Sequence, residues 1–361
     1  MNKKGLGTLL LTGALLVSAN TSVFAAQVPT VPTVGTGSEG NNAKVSITKN
    51  VEYAEGITAP AATFEFTATP KNGGPQATIN SIVYTTDDYK NGALQAGKYT
   101  VSKDMEVQFG TFDHAGMYEY DVIETKGDIE GFQYSTKNYK LRVYVENNTN
   151  GNGTFIQNIT AETDGQKQTE VSFTNTYTKN GGGNGNDALV IEKQTTGKYA
   201  DKTKEFQFKL KLEKAATTQD TKVIGKIDQQ EYEFTYGEEK TFTLSDQKKL
   251  VFETLPAGTR YVVTEIGKED KYVPTVNVVE NGVATVKDKK GTDADNLASS
   301  DTTNLVGENE NKVTFVNEYT EFNDNPLTGV FENNMPFILL IGVGGIALGT
   351  LAAVKKRRTI K

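Results

Sequence analysis

The chain has 361 residues and a formal charge of −7, with Lys and Glu interspersed, so it offers no basic stripe for nucleic acid. It has no cysteine, which excludes disulfides, thiolate metal sites, thioesters and cysteine nucleophiles. Its one histidine, His114, sits in a turn-like FDHAG, which leaves little for a histidine metal site or a serine-type triad.

Taken in order, residues 1–26 read as a secretory signal peptide. Lys3 and Lys4 form the charged start, residues 6–17 a short apolar run, and Val23-Phe24-Ala25 a small-residue cleavage pattern. Residues 27–42, rich in Pro, Thr, Gly and Asn, read as a flexible leader. Residues 43–178 form a first strand-rich block with no long helix. Its strands are AKVSITKNV, TFEFTATP, TINSIVYTT, MYEYDVIE, YKLRVYVEN and VSFTNTY, separated by turn clusters such as KNGGP and NNTNGNG. Residues 179–187 (KNGGGNGND) are a linker.

After the linker the order restarts over residues 188–321. ALVIEKQ echoes VSITKNV, EFQFKLKLE echoes TFEFTAT, GTRYVVTE echoes GMYEYDVIE, and VTFVNEY echoes VSFTNTY. A repeat this long is a duplicated domain rather than a solenoid unit. Residues 322–361 are a tail. It holds NPLTG at 325–329, a spacer, about twenty mostly apolar residues at 335–354 that are long enough to span a bilayer, and the basic run Lys355, Lys356, Arg357 and Arg358.

Alternation along the strands exposes an anomaly. In VSFTNTY one face carries Val171, Phe173, Asn175 and Tyr177; in VTFVNEY it carries Val313, Phe315, Asn317 and Tyr319. Lys49 continues the row of Val45 and Ile47, and Lys193 that of Leu189 and Ile191. Glu124 follows Tyr118, Tyr120 and Val122, while Glu265 follows Tyr261 and Val263. The offsets between the copies are 144 for the lysines, 141 for the glutamates and 142 for the asparagines. Any one of these residues alone reads as a solvent-facing lysine or a turn-forming asparagine. Six coincidences of register place charges and amides on core faces, which duplication alone does not explain.

Brought together in an apolar core, the three residue types make a reaction centre. Desolvation disfavours the ammonium and makes the lysine a nucleophile. Desolvation also keeps the glutamic acid protonated, able to donate to the asparagine carbonyl oxygen and to pass protons to departing ammonia. The expected product is a Lys–Asn isopeptide bond, formed once in each domain.

On these residues (ITKN with Lys49, DVIE with Glu124, FTN with Asn175; IEK with Lys193, VVTE with Glu265, FVN with Asn317) the sequence resembles the shaft pilins and related cell-wall proteins of Gram-positive bacteria. The resemblance covers roughly the whole chain. It implies an all-β protein of two tandem immunoglobulin-like, CnaB-type β-sandwiches. It also implies crosslinks Lys49–Asn175 and Lys193–Asn317, promoted by Glu124 and Glu265. The tail resembles a sortase signal, LPxTG: Asn325 replaces the usual Leu, and Pro326, Leu327, Thr328 and Gly329 complete the motif. The family implies cleavage between Thr328 and Gly329 and transfer of the Thr carbonyl to an amine. No YPK-type acceptor motif is present. Lys167, in GQKQTEVSFTN, is the candidate inter-subunit acceptor, one position out of register with the family's site.

The expected protein is a secreted, wall-anchored subunit of a covalent pilus, held transiently in the membrane by its C-terminal helix. It is not an enzyme acting on a substrate, and it needs no cofactor and no metal. Its partners are sortase, other pilin subunits and the peptidoglycan of the cell wall. The rival reading is a monomeric, sortase-anchored adhesin that binds a host ligand. A surface hydrolase finds no nucleophile–base set.

Overall fold

The computed structural model describes residues 32–320, apart from 184, 268–270 and 293. The signal peptide expected at 1–26 lies outside them. Nearly every described element is a strand; one turn of helix, Thr86–Tyr89, is capped by Thr85. Two sandwiches follow one another, each with its own apolar core.

In the first, one sheet runs in the order Gly35–Thr36, Thr154–Thr163, Asn138–Asn147, Gly116–Glu124, Phe66–Pro70. The facing sheet runs Phe132–Gln133, Val171–Tyr177, Ser46–Ala54, Lys98–Glu106, Ala93–Gln95. Phe173 packs between them, its ring 5.3 Å from Phe66 and 5.1 Å from Tyr139. In the second sandwich, Leu189–Thr196 and Lys312–Tyr319 are neighbours at the middle of a seven-stranded sheet. Phe206–Glu213 and Arg260–Glu265 lie in the sheet across the core, with Phe208 5.2 Å from Phe315.

The pairing that positions the site is the same in both. The first long strand lies parallel to the last, Lys49 opposite Phe173 and Val51 opposite Asn175. In the second domain Lys193 is opposite Phe315 and Thr195 opposite Asn317. Lysine and asparagine thus sit on one face, two register positions apart. That is about 6.6 Å of strand, which a lysine side chain spans.

Two segments differ from expectation. Residues 32–42 are not a free leader. Gly35–Thr36 adds an edge strand against Ile159 and Asn158, and Asn42 Oδ1 accepts the Ile156 amide at 2.8 Å. An unpaired edge of the Thr154–Thr163 strand recruits whatever backbone reaches it. The linker is also bound in place: Ala257 N–H donates to Lys179 O, Gly181 N–H to Leu255 O and Gly182 N–H to Asn309 O. Across the junction Arg260 pairs with Glu55 at 2.5 Å, and Ala257 packs into the core of the first domain.

Candidate functional site

Alternation along Ser46–Ala54 turns Ile47, Lys49, Val51 and Tyr53 inward, and along Val171–Tyr177 it turns Val171, Phe173, Asn175 and Tyr177 inward. Gly116–Glu124 brings Tyr120, Val122 and Glu124 to the same core from the facing sheet. Lys49 and Asn175 are fully buried and Glu124 is 7% exposed. The second set is as deep: Lys193 0%, Asn317 1% and Glu265 3%. A lone buried charge costs several kcal/mol, so these groups persist only because they meet one another.

In the first domain Lys49 Nζ donates to Glu124 Oε2 at 2.8 Å, and Asn175 Nδ2 donates to Glu124 Oε1 at 2.5 Å. One carboxyl group therefore touches both nitrogens. The Lys49 ammonium lies 4.4 Å from the centroid of the Phe64 ring, and the strand beneath is fixed by Tyr84, whose hydroxyl donates to Lys49 O. Burial pushes the Lys49 amine down to about 8, against the opposing pull of Glu124. The amine is thus far easier to deprotonate than an exposed lysine.

The second domain repeats the plan with looser contacts. Asn317 Nδ2 donates to Glu265 Oε1 at 2.5 Å, while Lys193 Nζ stands 3.8 Å from the same oxygen and donates to Gln194 O at 3.1 Å. Phe206 takes the place of Phe64, 4.1 Å from the ammonium. The two rings occupy matching places in TFEF and EFQF, a signal available in the sequence although neither was singled out there.

One expectation is corrected. The glutamate was expected to face the asparagine carbonyl oxygen; in both domains it accepts from the amide nitrogen instead. In the first domain the carbonyl oxygen, Asn175 Oδ1, accepts the main-chain N–H of Ser135 at 2.8 Å. Nothing in the sequence marked Ser135, since its contribution is backbone.

Lys167 stands apart from both centres. It is exposed on the strand Gln166–Gln168, across from Glu162 and just past a tight turn at Asp164 and Gly165. Lys179 is paired with Glu308 at 3.1 Å. His114 is exposed in its turn. Among the described residues no three acidic or histidine side chains gather as a metal site. The NPLTG motif, Asn325, Pro326, Leu327, Thr328 and Gly329, and the apolar and basic segments after it lie outside the described residues.

Comparison with known proteins finds two family matches along the chain. Residues 45–178 match the family described as the Spy0128-like isopeptide containing domain, and residues 187–319 match a domain of unknown function, DUF7601. A "Pilin" of Streptococcus pyogenes serotype M1 is 28% identical, the alignment covering 97% of this chain and 98% of that protein. The "Pilus tip adhesin Cpa" of Streptococcus pyogenes is 39% identical over 90 residues, 25% of this chain and 13% of that protein. The crystal structure of the major pilin from Streptococcus pyogenes aligns at 23% identity and a TM-score of 0.37, over 78% of this chain and 99% of that one.

Proposed function

We propose that this chain, which matches the Spy0128-like isopeptide containing domain over residues 45–178 and is 28% identical to a pilin of Streptococcus pyogenes, is a Gram-positive shaft pilin, the structural subunit of a covalently polymerised, wall-anchored pilus. Each domain closes itself with a Lys–Asn isopeptide bond, Lys49 to Asn175 and Lys193 to Asn317. The observation that carries this reading is the single buried carboxyl group of Glu124, within hydrogen-bond reach of both the attacking and the leaving nitrogen.

The chemistry follows from the contacts. With its proton on Glu124, Lys49 Nζ is a neutral amine held against the asparagine. It attacks Asn175 Cγ. Glu124 takes the proton that Nζ sheds and delivers one to Nδ2, so the Cγ–Nδ2 bond breaks and ammonia leaves. Glu265 serves Lys193 and Asn317 in the same way. Each centre turns over once, and its product remains as part of the fold.

The fibre role rests on the ends of the chain. The signal peptide exports it, and the apolar segment at 335–354 with its basic end holds the precursor in the membrane. Sortase cleaves between Thr328 and Gly329 and joins the Thr carbonyl to an amine of the next subunit, Lys167 being the accessible candidate, or to the peptidoglycan precursor at the base. Tension entering along the first strand passes through the isopeptide to the last strand, bypassing most of each domain's hydrogen-bonded sheet. Wall extracts run on denaturing gels test this role. A high-mass ladder carrying this chain is expected. One band of monomer mass, beside an active pilin sortase, would instead favour a monomeric wall-anchored adhesin.

A further inference from the structure

The two reaction centres differ at one atom. Asn175 Oδ1 accepts the Ser135 amide at 2.8 Å, whereas Asn317 Oδ1 takes no hydrogen bond among the described residues. The cause lies in the strand beside each asparagine. In the first domain, pairing with the last strand covers only Phe132 and Gln133, opposite Tyr177 and Thr176. The chain then leaves the sheet, and the next amides are released from the ladder. Ser135 N–H turns onto the asparagine side chain instead. In the second domain the matching strand, Tyr272–Glu280, stays paired along its length and sets Pro274 opposite Asn317. The residue in Ser135's place, Thr275, is thus held in the ladder opposite Val316 rather than released toward the asparagine side chain. A pocket of about 10 Å³ lined in part by Glu265, Pro274 and Asn317 remains there, about the space of one water.

We propose that the main-chain amide of Ser135 is the oxyanion donor of the first centre, a catalytic group that the second centre lacks. The inference rests on the isopeptide reading above. When Lys49 Nζ bonds to Asn175 Cγ, the carbonyl electron pair moves onto Oδ1, which becomes an anion in a dry core. The Ser135 N–H already points at that oxygen and stabilises the charge without reorganisation. When the pair returns, the Cγ–Nδ2 bond breaks and ammonia leaves with the proton relayed by Glu124. The division of labour is complete: the carboxyl group serves the two nitrogens and the backbone serves the oxygen.

The test replaces the Ser135 amide by an ester, with the α-hydroxy analogue of serine incorporated at that codon during cell-free synthesis of the full chain. Bond formation in each domain is followed in time by peptide mapping for loss of ammonia. Removing one oxyanion donor costs roughly 10²–10³-fold in rate, so the Lys49–Asn175 bond is expected to form about a hundredfold more slowly. The Lys193–Asn317 bond of the same molecule keeps its rate and reports that the chain has folded. Formation of the first bond at the unmodified rate overturns the proposal while leaving the isopeptide reading intact. Absence of ammonia loss from the first domain of the unmodified chain overturns both. A second measurement needs no ester. In Lys49→Met, which cannot crosslink, hydrogen exchange must find the Ser135 amide protected, and adding Asn175→Ala must release it. An unprotected Ser135 amide in Lys49→Met also overturns the proposal.

Discussion

Replacing Lys49 by Met removes the amine while keeping an unbranched side chain of similar length against Phe64, Val51 and Phe173. On the proposed isopeptide chemistry, the first domain then folds without a covalent closure. Asn175 lies 126 residues after Lys49. In the chain-entropy account, a crosslink closing a loop of that length removes about 5 kcal/mol of unfolded-state freedom at 25 °C. For a domain of this size each kcal/mol moves the melting temperature by a few degrees, so the loss is expected to be roughly 15–20 °C. Removing one partner of a buried pair can itself cost about 3–5 kcal/mol, so Asn175→Ala is the control. It also prevents the crosslink but leaves Lys49 and Glu124 paired at 2.8 Å, and a similar fall in both variants assigns the loss to the missing bond. The assay is differential scanning calorimetry of the ectodomain beside Lys193→Met, which should lower the transition of the other domain. A shift of less than about 3 °C in Lys49→Met would refute the claim that a long covalent loop stabilises this sandwich.

Three further outcomes follow from the same contacts. Glu124→Ala should leave one ammonia unreleased and Glu265→Ala the other, because each removes the group that serves both nitrogens; intact mass reads this directly, and a variant that still loses both would contradict the assigned role. In Asn175→Ala, which keeps the Lys49 amine uncrosslinked, the folded-state pKa of about 8 lies below the ordinary 10.5. The unfolded chain then binds the extra proton between those values, so stability should rise with pH from about 8 to 10.5. Urea midpoints across that window measure it, and a flat profile, like that expected of Lys49→Met with Asn175→Ala, would count against a buried, depressed amine. Lys167→Ala in the native host should abolish the wall ladder; an intact ladder would exclude Lys167 as the sole acceptor and turn attention to Lys179, which is held by Glu308.

The site was legible because it breaks a pattern. A lysine, a glutamate and an asparagine on core-facing registers stand out against Val, Ile, Phe and Tyr, and duplication displayed the anomaly twice. The strands themselves were readable from alternation, and the restart after the linker marked two domains. What the side-chain pattern does not carry is backbone placement. Ser135 contributes an N–H that any residue but proline would supply, and its aim depends on where a neighbouring strand stops pairing. The direction of the asparagine amide was likewise not carried by the pattern: in both domains the nitrogen turns to the glutamate, and only in the first does a main-chain N–H meet the oxygen. Gly35–Thr36 was missed because VPTVGTG lacks alternation; its pairing is decided by the open edge of Thr154–Thr163. The linker reads as flexible from its glycines, yet main-chain bonds to Leu255, Ala257 and Asn309 hold it between the domains.

The central claim is that each domain is closed by a bond between its first and last long strands. Intact mass spectrometry of the folded ectodomain, followed by tandem sequencing of its proteolytic peptides, tests this most directly. The account predicts a mass lower than that of the sequence by two ammonia molecules, with branched peptides joining Lys49 to Asn175 and Lys193 to Asn317. A chain at its full sequence mass, yielding only linear peptides around those four residues, would contradict it.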